Sequence, residues 1–177
     1  MKFATQDVAK SRPLRQPETV ILFSVGNQTF AIAAESVQEI RSADSLAGAA
    51  CELEKSDLPK VRHTIERSRR TYYVVNACAH FGLPVSRPTL VLILRQLRVA
   101  VLVDHIERMA QIPAVLTLPR AFIGEERRWY RGLTYVNDHV IPVIQPSGFL
   151  TKEEFQRLDR IAKSAEAQRE LEGAVHA

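Results

Sequence analysis

Ile21-Leu22-Phe23-Ser24-Val25-Gly26-Asn27-Gln28-Thr29-Phe30-Ala31-Ile32 decides the fold class. Strand-forming side chains fill both halves of this stretch. Between them stands Gly26-Asn27, a pair that accepts the positive φ a two-residue hairpin turn needs. Residues 19–25 and 29–33 therefore predict a hairpin. The same pattern recurs downstream. Residues 89–94 and 99–103 are apolar strand formers around Arg95-Gln96-Leu97-Arg98. Residues 129–136 and 140–144 flank Asn137-Asp138-His139, a third turn signal. Thr71-Tyr72-Tyr73-Val74-Val75 reads as a further strand. Many short strands with turns between them predict a mainly β chain, a small barrel or sandwich.

Other segments read differently. Residues 34–40 predict a short helical segment, with Val37 and Ile40 three residues apart on one face. Residues 42–70 predict a loop with a helical turn or two. Ile106 and Met109 fall in a short turn, and Pro113 and Pro119 bound another extended piece. Near the C-terminus, Thr151-Lys152-Glu153-Glu154 is a capping box, with Leu150 and Phe155 placed as a hydrophobic staple. Phe155, Leu158, Ile161, Ala162 and Ala165 then recur at helical spacing. An amphipathic helix over 151–172, docked on the β body, is the expectation. Residues 1–18 are polar with Pro13 and Pro17 and predict a flexible tail; 173–177 form a short C-terminal tail.

The chain has 177 residues, enough for one domain or two small lobes with a core of their own. Its net charge is +4 and its sequence pI about 9.3, which permits nucleic acid as a partner without requiring it. The charge is uneven. Residues 19–54 carry one cation against five anions, whereas 55–70 carry six cations against two. The net charge of that basic stretch equals that of the whole chain. Cys51 and Cys78 are too few for a disulfide framework and suit a reducing cytoplasm. The N-terminus lacks a signal-like apolar core. Apolar runs such as Leu90–Leu94 fall far short of the ~20 residues of a membrane span. A cytoplasmic protein without membrane insertion is expected.

A search for chemistry returns little. There is no phosphate-binding glycine motif and no Gly-x-Ser-x-Gly elbow. Cys78-Ala79-His80 has no second Cys/His pair to complete a metal site. Asp104-His105 suggests half a triad, but neighbours in a strand point to opposite faces. No catalytic residue, cofactor or metal is assigned. Trp129 and Tyr130 among Arg127, Arg128 and Arg131 offer a basic aromatic platform, with a buried strand start as the simpler reading. The stretch 55–70 could bind phosphates or an acidic protein. A small β-barrel nucleic-acid-binding protein using that stretch is accordingly the alternative function.

In order and spacing, these segments resemble the CheW-like chemotaxis adaptor family. The first hairpin is followed by Val37-Gln38-Glu39-Ile40-Arg41, then by Tyr73-Val74-Val75-Asn76, where the family has Pro-Val-Val-Asp. The hairpin ending Leu102-Val103-Asp104, the run Tyr130-Arg131-Gly132-Leu133, the strand Val140-Ile141-Pro142-Val143 and the capped helix complete the match, over about residues 19–165. The resemblance implies two small five-stranded β-barrels sharing an apolar junction, one domain over 19–172. It implies a non-enzymatic adaptor coupling chemoreceptor cytoplasmic tips to the regulatory domain of a CheA-type histidine kinase. The output would be chemotaxis or pilus-based motility, with the protein held at membrane-associated arrays through its partners. Position by position, it implies partner contacts at Val37, Glu39, Ala100, Ile106 and Met109. Family members carry a glycine-rich Arg-Gly stretch before the Pro-Val-Val-Asp strand. Here Ser68-Arg69 occupies that place and no glycine occurs between Gly48 and Gly82. Arg67, Arg69 and Arg70 complete the expected partner surface, altered from the family pattern.

Overall fold

The computed structural model describes residues 17–175. Residues 1–16 of the predicted N-terminal tail and 176–177 of the predicted C-terminal tail lie outside the described residues. Strand β1 (Glu18–Val25) begins one residue inside the predicted N-terminal tail and pairs with β2 (Gln28–Ala33). Gly26 and Asn27 both take positive φ (55° and 67°), as a two-residue turn with the twist of the strands requires. The chain then leaves this sheet. A 3-10 turn (Ala34–Ser36) leads into β3 (Val37–Ser42), so Val37 and Ile40 lie on a strand and not on a helix.

The stretch 42–70, expected to be a loop, holds a 3-10 turn (Ala43–Leu46), a three-residue strand β4 (Ala50–Glu52) and β5 (Val61–Arg67). Then follow β6 (Arg70–Asn76), helix α1 (Ala77–Phe81), β7 (Leu90–Leu94) and β8 (Val99–Val103). Strand β9 (His105–Ile112) takes the place of the expected turn at Ile106 and Met109. The short helix α2 (Glu126–Trp129), β10 (Tyr130–Val136), β11 (His139–Ile144) and helix α3 (Lys152–Val175) complete the chain. Gly173 does not stop α3 at the predicted end. It lies inside the helix, which runs three residues past the expected boundary.

The strands form two sheets: five in the order β10-β11-β2-β1-β9 and six in the order β3-β7-β8-β6-β5-β4. The expectation of five strands in each thus meets one extra strand, β4, which pairs with β5. Each sheet is a mixed ladder, antiparallel except at β11–β2 and β6–β8. No ladder among the described residues joins the two edges of either sheet.

The uninterrupted apolar strands have a physical cause, because both faces are covered. On β1, Ile21, Phe23 and Val25 belong to a central core, while Val20 and Leu22 belong to a core of the five-stranded sheet's own. On β7, Leu92 and Leu94 face the central core, and Val91 and Ile93 face the outer core of the six-stranded sheet. Three apolar layers therefore alternate with two sheets. Strands buried on both faces read as continuous apolar runs.

Helix α3 seals the central layer. The Thr151 hydroxyl accepts the Glu154 N–H (3.1 Å), and the Glu154 carboxylate accepts the Thr151 N–H (2.8 Å), as the capping box predicts. That carboxylate also takes the Lys60 ammonium (2.9 Å), which donates in addition to the Phe149 carbonyl (2.9 Å). One turn further on, Arg98 grips Asp159 with two hydrogen bonds (3.0 and 2.9 Å), and the Tyr73 hydroxyl donates to the same carboxylate (2.5 Å). Leu158 beneath them has no exposed surface. Its burial alone contributes about 2 kcal/mol.

Candidate functional site

Val37 opens β3, opposite Leu94, and is buried in the central core. Its neighbour two positions on, Glu39, faces outward. In a regular strand the two would share a face. A bulge between them, visible as a register shift against β7, turns Glu39 away from the core. There its carboxylate meets two guanidinium groups: Arg41 at 2.7 Å and Arg67 in a shorter contact. The Arg67 hydrogen bond, helped by Arg41, holds the Glu39 carboxyl below the usual carboxylate range.

This ion pair spans the sheet. Strand β3 is one edge of the six-stranded sheet and β5 lies four places away, so the sheet must bend round for the pair to form. Immediately beyond Arg67 comes the β5–β6 turn. Arg67 pairs with Arg70 across the ladder, leaving Ser68 and Arg69 as a two-residue connection. Both have positive φ (50° and 60°). The turn that glycine would permit is thus made in left-handed geometry by two residues with side chains. Arg69 and Arg70 are exposed at its tip, and neither is ion-paired to another described residue.

The other expected contacts lie elsewhere. Ala100, on β8, has no exposed surface and packs in the outer core of the six-stranded sheet. A partner cannot touch Ala100, and can scarcely touch Val37, while the sheet stays closed over them. Ile106 and Met109 lie on β9, an edge of the five-stranded sheet. Ile106 packs against the central core, and Met109 is 60% exposed. Of the eight residues, Glu39, Arg67, Arg69 and Arg70 form one group. Arg41 joins that group and was missed by the sequence reading. Its signal was its place two positions after Glu39 on the same strand face.

The basic stretch is not one face. Of its six cations, Lys60 is tied to α3, Arg67 to Glu39, and Lys55 donates to Gln168 (3.3 Å). Arg62, Arg69 and Arg70 are exposed. Nor do Trp129 and Tyr130 form an outward platform. The Trp129 ring lies 4.8 Å from His80, and Tyr130 stacks on Phe81 at 6.1 Å, while Arg131 forms a two-pronged bond to Glu18. The basic stretch is thus divided between internal contacts and three exposed arginines, and both rings of the expected platform pack against other rings.

Asp104 and His105 have separate tasks. The chain crosses from the six-stranded to the five-stranded sheet at this point. The Asp104 carboxylate accepts the Gly26 N–H (2.8 Å) and the Ser86 hydroxyl (2.5 Å), pinning the first hairpin turn to the loop after α1. The His105 ring bonds the Ser24 hydroxyl (2.8 Å). Their recorded side-chain partners are thus different groups: Ser24 for His105, Gly26 and Ser86 for Asp104. Cys78 and His80 are buried on α1, where Cys78 contacts the Ser86 hydroxyl (2.8 Å) and His80 sits among Phe81, Trp129 and Phe149. Burial, and then the Lys60 charge, push the His80 pKa down to about 3. Among the described residues no group of His, Cys, Asp or Glu could hold a metal ion, and no helix is long and apolar enough to cross a membrane.

Residues 19–154 match the family model described as the CheW-like domain. The crystal structure of scaffolding protein TtCheW from Thermoanaerobacter tengcongensis is similar, with a TM-score of 0.64 at 14% identity. The match covers 77% of this chain and 94% of that one. No curated protein matches. The matched region runs from the first hairpin to the capping box of α3, both sheets included, and the chain belongs to the CheW-like domain family.

Proposed function

We propose that this chain is a non-enzymatic, cytoplasmic adaptor of a chemosensory array. It joins the cytoplasmic tips of methyl-accepting chemoreceptors to the regulatory domain of a CheA-type histidine kinase, in chemotaxis or pilus-based motility. Membership of the CheW-like family supports the adaptor role. The observation that carries the location of the site is the Glu39–Arg67 ion pair, which fixes an exposed sheet edge beside the Arg69–Arg70 turn. An edge strand offers backbone groups to a partner, and the adjacent arginines add charge selectivity. Met109 on β9 offers a second, apolar contact on the other sheet. Val37, Ala100 and Ile106 act from beneath by holding these strands in place.

The test is titration calorimetry of the full chain against a receptor tip fragment and a kinase regulatory domain encoded alongside it. Arg69→Glu with Arg70→Glu should weaken at least one of the two by tenfold or more, on the order of the 1.4 kcal/mol that factor represents. Arg67 is left intact because its reversal would disrupt the pair with Glu39. Binding of neither domain by the unaltered protein would refute the adaptor role. Unchanged binding by the double variant would refute the site while leaving the role standing.

A further inference from the structure

Only the first half of α3 is docked. Phe155, Leu158, Ile161 and Ala162 pack in or against the central core, but every described side chain from Glu166 to Ala174 is exposed. The docked stripe continues at helical spacing as Ala165, Arg169 and Glu172, which are too small or too polar to seal against a sheet. A crevice remains between this half of the helix and strands β4 to β6. It consists of two adjoining hollows of about 210 and 150 Å³ that share Glu52, Leu53, Ala165 and Arg169. Leu53, Ile161 and Ala165 give the larger hollow an apolar floor.

The smaller hollow holds an orphan. Thr64 lines it from β5, is 7% exposed, and carries a hydroxyl that hydrogen-bonds to no described residue. A polar group this buried is normally paired, so it points to a partner that the folded chain does not itself supply. The rim is acidic. Glu54 and Glu172 line the larger hollow, Glu66 and Glu166 the smaller, and Glu52 both. None of these five carboxylates is ion-paired with another described residue. Lys55 and Arg169 also line the crevice, and Lys55 donates to Gln168. The last turn of α3 holds no basic residue, so the negative pole of the helix stands uncompensated there. Yet no three of these carboxylates converge closely enough to hold a metal ion.

These features select the ligand. Separated carboxylates attract separated positive charges better than one point charge. An apolar floor between them is covered best by methylene groups. An ammonium group also suits Thr64, whose hydroxyl oxygen can accept one of its N–H donors. Size excludes a docked helix. One turn of α-helix, about 10 Å across and about 5.4 Å tall, fills roughly 400 Å³, more than either hollow. We propose that the crevice between α3 and strands β4 to β6 binds a free, unbranched aliphatic polyamine. Its ammonium groups lie against the glutamate rim and the Thr64 hydroxyl, and its methylenes lie over Leu53, Ile161 and Ala165. Such binding needs neither a receptor nor a kinase, so it stands apart from the adaptor role.

The probe is spermidine, titrated into the full chain by calorimetry, and one saturable site is expected. Glu166→Gln with Glu172→Gln, both on the undocked half of α3, should weaken binding tenfold or more. Ala165→Phe leaves every charge in place but fills space that the two hollows share, and should weaken binding as much. Thr64→Val should lower affinity several-fold without lowering the melting temperature of the free protein, because the hydroxyl it removes has no partner there. Magnesium chloride at matched ionic strength should fail to displace spermidine, and a tetralysine peptide should bind more weakly. No saturation by roughly 1 mM spermidine would overturn the proposal. Binding that survives either the glutamine pair or Ala165→Phe would overturn it too. Displacement by magnesium would reduce the crevice to a diffuse acidic surface, and tighter binding of tetralysine would give it to a lysine-rich protein segment. Either result sinks the polyamine. Unchanged affinity in Thr64→Val would overturn the placement of an ammonium at that hydroxyl.

Discussion

Arg69→Gly should make the protein more stable and a poorer binder at once. Ser68 and Arg69 both hold positive φ in the two-residue β5–β6 turn. A residue with a Cβ pays ~1 kcal/mol or more for left-handed backbone. Glycine avoids that strain but loses about 0.5–1 kcal/mol through the greater freedom of its unfolded chain. The balance favours Arg69→Gly by about 0.5 kcal/mol. Ser68→Asn combined with Arg69→Gly installs the Asn-Gly pair that such turns prefer, and should gain about 1 kcal/mol. For a chain of this length that raises the melting temperature by roughly 2–4 °C. Arg69→Val is the opposing control, because a β-branched side chain fits left-handed geometry worst, and it should melt lower than the unaltered protein. Arg69 makes no ion pair with a described residue, so no lost contact offsets the gain. Calorimetric melting of the variants checks the stability, and titration against the receptor tip and kinase domain checks the binding. Equal or lower melting for the Asn-Gly variant would refute the left-handed turn. A rise in melting with undiminished binding would refute the role of the Arg69 charge.

Gly132 tests a close approach of chains. A Cβ there would lie 2.0 Å from the Leu116 carbonyl oxygen, within the bridge that Leu116 forms with Leu133. Gly132→Ala should therefore cost about 1–3 kcal/mol in urea unfolding, and a neutral result would show the bridge to be dispensable. His80 tests burial through pH. It stays neutral in the folded chain down to about pH 3, whereas in the unfolded chain it protonates near its ordinary value. The unfolded state then binds the extra proton, so stability falls as pH drops from about 6.5 towards 3, by at most ~1.4 kcal/mol per pH unit. His80→Phe keeps an aromatic ring among Phe81, Trp129 and Phe149 and should flatten that slope, measured by urea unfolding across this window. Identical slopes would mean that His80 is solvated.

Of the three hairpins legible in the sequence, the β7–β8 hairpin shows by its two apolar runs, and the other two by turns that announce themselves. Gly26-Asn27 and Asn137-Asp138 both take positive φ and consist of residues suited to it. The β5–β6 hairpin has the same geometry, but Ser68-Arg69 carries no such signal. Its strand β5 is further hidden by a register shift between Val61 and His63, which breaks the alternation that would identify it. Strand β9 escaped because only Ile112 on it is buried, so it lacks an apolar period. The burial of Ala100 was illegible for the opposite reason. Val99–Val103 is apolar on both faces, each face having its own core, and no local pattern separates a surface position from a core one. The Glu39–Arg67 pair depends on the bending of a whole sheet, which no local sequence window encodes.

Charge counting marked residues 55–70 as the stretch to explain, and the structure divides that charge between cations paired within the fold and cations left exposed. Lys60 fastens the N-terminus of α3 by binding the carboxylate that also completes its capping box. Arg67 fastens the edge strand β3. These cations sit beside carboxylates in fixed geometry, so reversing either would leave like charges facing each other inside a structural joint. Arg69 and Arg70 have no such obligation, because the turn that carries them is held by its ladder and not by their side chains. A surface that must change partners without unfolding needs this separation of charge that binds outward from charge that binds inward. If the proposed adaptor site is right, Arg69 and Arg70 are where substitution alters recognition at least cost to the fold. Lys60 is where the same substitution would release α3.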